Sequence, residues 1–299
     1  MAVPVRRAVI FGVRMNRHLL ACAGLACLLA TAAHAQSGAV AETAPDPRPG
    51  QPLWELGLAG GVVSTPSYPG AIDRETRGLA LPLVIYRGKV FRSDQSGIGA
   101  RVFKSDAAEL DVGLAASLPA RSNDVAARAG MPDLGALAEF GPRLKLRLAR
   151  FDAQSGLRAE FPLRAVMEVR SGLRHQGYTF EPRLVYERRS MDGKWLFDTH
   201  LAAVVGDGKI NRYFYEVRPE YATANRAAYS ADAGLILVRA GVFAARVINR
   251  DLRVYGFLRA ENYGVGANRN SPLHLRDNGV SAGFGLSWTI RRSAALASD

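Results

Sequence analysis

The sequence predicts an all-β protein: a transmembrane antiparallel up-and-down β-barrel, with 12 strands preferred and 14 as the alternative count. Three observations lead there. Apolar and polar residues alternate one by one along most of the chain, and the alternating runs reach about nine to thirteen residues. After residue 35 no stretch approaches the ~18 apolar residues that a spanning helix needs.

The run "LRAEFPLRAVMEVR", 157–170, carries the pattern most clearly. Leu157, Ala159, Phe161, Leu163, Ala165, Met167 and Val169 fall on one face; Arg158, Glu160, Pro162, Arg164, Val166, Glu168 and Arg170 fall on the other. Successive side chains of a strand leave opposite faces, whereas a helix of this sequence would spread its charge around the whole circumference. Strands of soluble proteins average ~5–6 residues, while a tilted barrel strand crosses a bilayer in ~9–11. Lipid cannot satisfy backbone N–H and C=O groups, so a sheet survives there only when closed on itself. The Leu/Phe/Val rows therefore read as lipid-facing and the Arg/Glu rows as lumen-facing. Arg143, Lys145, Arg147, Arg158, Glu160, Arg164, Glu168 and Arg170 are the lumen candidates. Pro162 lacks a ladder donor and predicts a bulge.

Taken in order, residues 1–35 read as a secretory signal peptide, with Met15 as the alternative start. Arg17 supplies the charged region, Leu19 to Ala33 the apolar run, and Ala33-His34-Ala35 the small-residue exit, with cleavage between Ala35 and Gln36. Removing 1–35 takes four arginines and both cysteines; 35 basic against 27 acidic residues remain, a net +8. Residues 36–52 are a Pro-rich linker and 291–299 a C-terminal tail. Between them, 53–290 forms the barrel. Strand-like segments lie near 53–63, 79–87, 89–94, 97–104, 107–118, 136–150, 155–170, 173–190, 194–206, 211–221, 228–240, 241–249, 252–262 and 278–290. The long connections 64–78, 119–135 and 263–277 all follow odd-numbered segments, which places them outside the cell when both termini are periplasmic. Tyr86, Phe91, Tyr178, Trp195, Phe197, Tyr213, Tyr215, Tyr255, Tyr263 and Trp288 lie near segment ends, as an interfacial girdle requires.

Residues 53–103 resemble the N-terminal signature of the MipA/OmpV family, the MltA-interacting outer-membrane proteins. The resemblance rests on Gly57 and Gly60 in the first strand, on Tyr68-Pro69-Gly70, on Leu81-Pro82 with Tyr86, and on Gly88 with Phe91. It covers about fifty residues, and Ala71 stands where the family usually has serine. It implies an outer-membrane scaffold; the barrel itself is expected to be monomeric and in contact with outer-membrane lipid and lipopolysaccharide. The implied partners are a lytic transglycosylase and a murein synthase.

The residues themselves supply little chemistry. His175, His200 and His274 stand at no metal-ligand spacing, so no metal, cofactor or catalytic constellation is expected. Ser171 and His175, four apart, are the one candidate for a lipid-modifying barrel enzyme, ranked third. "GDGK", 206–209, reads as a turn, and "GVGANRN", 264–270, as loop. Basic residues interleaved with glutamates along strands exclude a nucleic-acid patch. They leave a small anion-preferring channel as the runner-up to a scaffold.

Overall fold

The computed structural model describes residues 50–94, 97–170 and 172–297, so the cleavage site at Ala35/Gln36, nearly all of the linker and Ser171 lie outside the described residues. The chain forms β1 (Trp54–Pro66), β2 (Arg74–Arg87), β3 (Phe91–Asp94), β4 (Gly97–Lys104), β5 (Ala108–Ser117), β6 (Ala136–Arg150) and β7 (Ser155–Val169). It continues with β8 (Leu173–Phe180), β9 (Arg183–Arg189), β10 (Trp195–Gly206), α1 (Gly208–Tyr215), β11 (Gly234–Val247), β12 (Leu252–Asn262) and β13 (Asn278–Arg292). Strands pair antiparallel in chain order, and β13 returns to β1, which closes the sheet.

β8 and β9 are two halves of one span. Leu163 pairs with Phe180 and Glu160 with Arg183 on the β7 side, while Val205 and Ala202 pair with the same two residues on the β10 side. The register is thus unchanged across the break at Glu181–Pro182, and the barrel has 12 spans. The bulge expected at Pro162 is absent, because β6 and β7 keep one register from Phe140/Ala165 to Arg143/Pro162. Register shifts fall instead at Arg147/Ala149 and Val166/Met167. Both prolines keep the bond that their carbonyl accepts, from Glu181 N–H to Pro162 (3.1 Å) and from Ala203 N–H to Pro182 (3.1 Å). Each loses only the bond that its nitrogen cannot give.

Two further expectations are corrected. Residues 211–221 form no strand: Asp207 caps α1, its side chain accepting from the N–H groups of Lys209 and Ile210, and the chain turns helical there. "GDGK" is therefore a helix start. Segments 228–240 and 241–249 are one strand, β11, in which Gly241 is small because the His200 ring occupies the space above it. Both changes lower fourteen segments to twelve.

Side chains sort by face. Along β13, Val280, Phe284, Leu286, Trp288 and Ile290 are exposed on the outer face, and Ser281, Gly285, Ser287 and Thr289 are buried inside. Antiparallel alternation gathers the four long connections, 67–73, 118–135, 207–233 and 263–277, at one rim. The short turns after β2, β4, β6, β9 and β11 share the other rim with both ends of the described barrel. There β13 continues into a short ladder: Leu53 N–H donates to Ala295 (2.8 Å) and Ala297 N–H to Gln51 (2.8 Å).

Candidate functional site

The lumen is a chain of ion pairs. Beside the closing seam, Glu55 is held by Arg87 (2.5 Å), Arg253 (3.0 Å) and the Thr289 hydroxyl (2.9 Å). Further round, Arg143 forks onto Asp111 through Nε (3.0 Å) and Nη2 (2.8 Å), and Lys145 bridges Glu109 and Asp111, both at 2.9 Å. Arg158 gathers Glu160 (2.6 Å), Glu187 (3.0 Å) and Asp198 (3.1 Å). Towards the long-loop rim Glu181 meets Arg183 (3.0 Å), Arg239 (3.4 Å) and Arg164 (3.5 Å), and Arg259 pairs with Glu261 (3.0 Å). Glu160 and Asp198 are 0% exposed, enclosed by the side chains around them. Charges so placed lose their hydration, which makes removal of one partner far costlier than the pair is stabilising.

Of the sequence candidates, Arg143, Lys145, Arg158, Glu160, Arg164 and Glu168 lie in this network or at its upper end. Arg147 is exposed at the short-turn rim. Arg170 is exposed at the long-loop rim, where its Nη2 donates to the Asp133 carbonyl (2.9 Å). Sequence reading missed Glu55, Asp198, Arg183, Arg239, Arg259 and Glu261 as lumen groups. Their signal was the inward parity of their strands, which places every second residue of β1 and β9–β12 inside as surely as in β7.

The long loops fold into a cap with its own apolar core. Tyr68, Ala71, Ala120, Val125, Met131, Leu134, Val217 and Leu273 bury one another there. Tyr68 donates from its hydroxyl to the Leu273 carbonyl (2.6 Å), and the Arg128 guanidinium stands over its ring at 5.8 Å. Burial pushes the Tyr68 phenol up to about 12, against the pull of Arg128. Ser271 donates to the Tyr215 carbonyl (2.7 Å), and Asn268 Nδ2 donates to Asn211 Oδ1 (2.9 Å), which ties 263–277 to α1. Burial also raises the phenols of Tyr213 and Tyr215.

The family-signature residues are structural on this geometry. Gly57 sits where β1 shifts register against β13, and any Cβ would fall inside the Trp288 carbonyl. Gly60 has room beside it, the nearest atom being the Leu79 carbonyl at 3.4 Å. Gly70 adopts φ 87°, and its carbonyl accepts from Leu275 N–H (2.9 Å) and Arg276 N–H (3.1 Å), with Pro69 just before it in the same corner. Pro82 and Tyr86 face outwards from β2. Tyr86, Phe91, Phe197 and Trp288 stand exposed on the outer face, with Trp195 stacked on Phe197 at 5.4 Å. Tyr213, Tyr215 and Tyr263, expected in the girdle, belong to the cap instead, because α1 and the 263–277 loop turn them inwards. His175 packs edge-on against Tyr178 (4.8 Å). Among the described residues no group of three or more His, Cys, Asp and Glu is placed to hold a metal.

A closed antiparallel sheet with an apolar outer face, a charged interior and long loops gathered at one rim defines a transmembrane β-barrel of the outer-membrane class. The family model described as MltA-interacting protein MipA matches residues 58–290. The chain belongs to the MipA family. No curated protein gives a significant sequence match. Among solved structures, an outer-membrane channel from Pseudomonas putida F1 is similar at 11% identity and TM-score 0.47, over 83% of this chain and 100% of that one. Outer membrane phospholipase A from Escherichia coli is similar at 14% identity and TM-score 0.35, over 85% of this chain and 97% of that one. The NanC porin is similar at 8% identity and TM-score 0.37, over 78% and 98% of the two chains.

Proposed function

We propose that this barrel is an outer-membrane scaffold whose short-turn rim faces the periplasm and docks murein-remodelling enzymes, a lytic transglycosylase and a murein synthase. The observation that carries this reading is the filled interior: Glu160 and Asp198 are inaccessible within the ion-pair network, and the loop cap lies over the opposite rim. A barrel filled in this way offers its rims rather than its bore for function. Membership of a family named for interaction with MltA supports the choice of partner. Cross-linking in the envelope, followed by affinity capture of the tagged barrel, tests it. Recovery of both murein enzymes is expected; their absence, with the barrel itself recovered in monomeric form, removes the reading.

A second reading, an anion-preferring channel, is favoured by the basic cavity at the short-turn rim. Planar-bilayer recording separates the two, since a stable anion-selective conductance would replace the scaffold by the channel.

A further inference from the structure

The cavity at the short-turn rim is a built site rather than a leftover of barrel closure. It has a volume of about 360 Å³ and is walled by parts of β3 to β7 and β9. Small-ligand pockets occupy about 300–1,000 Å³. Its walls carry nine basic and six acidic side chains, an excess of cations in which both signs are interleaved. The acids at its floor are engaged: Asp111 by Arg143 and Lys145, and Glu160 and Glu187 by Arg158. Two cations near the mouth are not matched in this way. Among the described residues the Arg147 side chain has no hydrogen-bond or ion-pair partner, and the Arg150 side chain donates only to the backbone carbonyl of Asp152 (3.3 Å). A guanidinium with no carboxylate partner presents a planar fork to an incoming one.

A second, independent observation concerns the floor. Glu160 is 0% exposed and lines the cavity, and its Oε2 accepts no hydrogen bond among the described residues although Oε1 takes Arg158 Nε. A buried carboxylate oxygen without a donor is costly, and a ligand donor would satisfy it. Arg158, which stands beside it, is itself part-exposed at the cavity wall, so the carboxylate lies one side chain below the open space.

We propose that this cavity binds a small peptide-like zwitterion carrying more carboxylates than ammonium groups, its carboxylates taken by Arg147 and Arg150 and its ammonium directed to Glu160. A simple anion uses the first set alone; a cation meets a net-repulsive mouth. The assignment stands apart from the scaffold reading, because it is measured on the isolated barrel and needs no murein enzyme.

Titration calorimetry of the full chain folded in detergent micelles tests it with three probes: glutamyl-glutamate, its N-acetyl derivative and inorganic phosphate. The dipeptide is expected to bind at least tenfold more tightly than either of the others. The double variant Arg147→Ala/Arg150→Ala should weaken the dipeptide at least tenfold. Glu160→Gln should abolish the preference over the acetylated form. Equal binding of phosphate or of the acetylated probe overturns the proposal in favour of a plain anion site. Unchanged dipeptide binding in the double variant overturns the placement, and no binding by a wild-type barrel that still shifts on an unboiled gel overturns it outright. Should Glu160→Gln fail to fold, the double variant decides, since both arginines are exposed at the rim and their loss leaves the ladder intact.

Discussion

At the long-loop rim the interior is apolar. Tyr68, Val125, Val217 and Leu273 pack against one another, and the polar atoms among them are paired mostly as neutral hydrogen bonds. At the short-turn rim the same lumen is lined by arginines and carboxylates around an open cavity. The contrast follows from what covers each end. Loops of seven to 27 residues fold over the first end and exclude water, so hydrophobic burial is available there. Turns of three to five residues cannot reach across the second, and charges, which tolerate partial hydration, take its place. One barrel therefore uses two kinds of stabilisation, apolar packing dominating the capped end and ion pairs the walls of the cavity at the other.

The comparison can be broken from either side. The largest effect is expected at the charged end: Glu55→Ala leaves a buried Arg87 and a half-buried Arg253 without their carboxylate, at a cost of about 3–5 kcal/mol. The folded band on an unboiled gel should then be lost at a clearly lower temperature; an unchanged transition would show the ion pairs to be dispensable. At the capped end Leu273→Ala removes a side chain that is fully buried, for about 2–5 kcal/mol. That loss should appear as faster proteolysis within 207–233 and 263–277, with heat modifiability of the strands retained. If the whole barrel melts instead, cap and wall are one cooperative unit.

A smaller effect, at the capped end, concerns alkali. The folded Tyr68 phenol lies at about 12, above the 10.0 of an unburied tyrosine, because burial disfavours phenolate. The folded state therefore holds its proton more tightly than the unfolded loop does. Stability from this group is complete below pH 10 and is lost as pH rises towards 12. Near-ultraviolet circular dichroism should show the cap loosening over that window, and Tyr68→Phe should remove this contribution. The smallest effect is local: Asp207→Ala deletes the cap of α1 at about 1 kcal/mol, read as faster amide exchange at Lys209 and Ile210 only.

Much of the fold was legible because a barrel writes its two environments into alternate residues. Leu163 and Arg164 could be assigned to opposite faces without coordinates, and the short turns and long loops sorted themselves by parity. The helix α1 was hidden because "NRYFYEV" also alternates, Tyr213 and Tyr215 falling two apart, and only the Asp207 cap before it argued otherwise. The cap was illegible for a different reason. Tyr68 and Leu273 are 205 positions apart in sequence, and nothing local to either reveals the other. The charged cavity was half visible: its arginines could be placed in the lumen, but which of them had a carboxylate opposite depends on register. Pro162 misled because a proline in a ladder removes one bond, and a bulge is only one way to accommodate that.

The short ladder joining residues 51–53 to 295–297 has a consequence for connectivity. With its ends zipped together, the described chain is a ring in all but one covalent link. Joining Ala297 to Gln51 and opening the chain at the 190–194 turn would preserve every neighbouring strand pair. The order in which the strands are synthesised is thus separable from the order in which they stand.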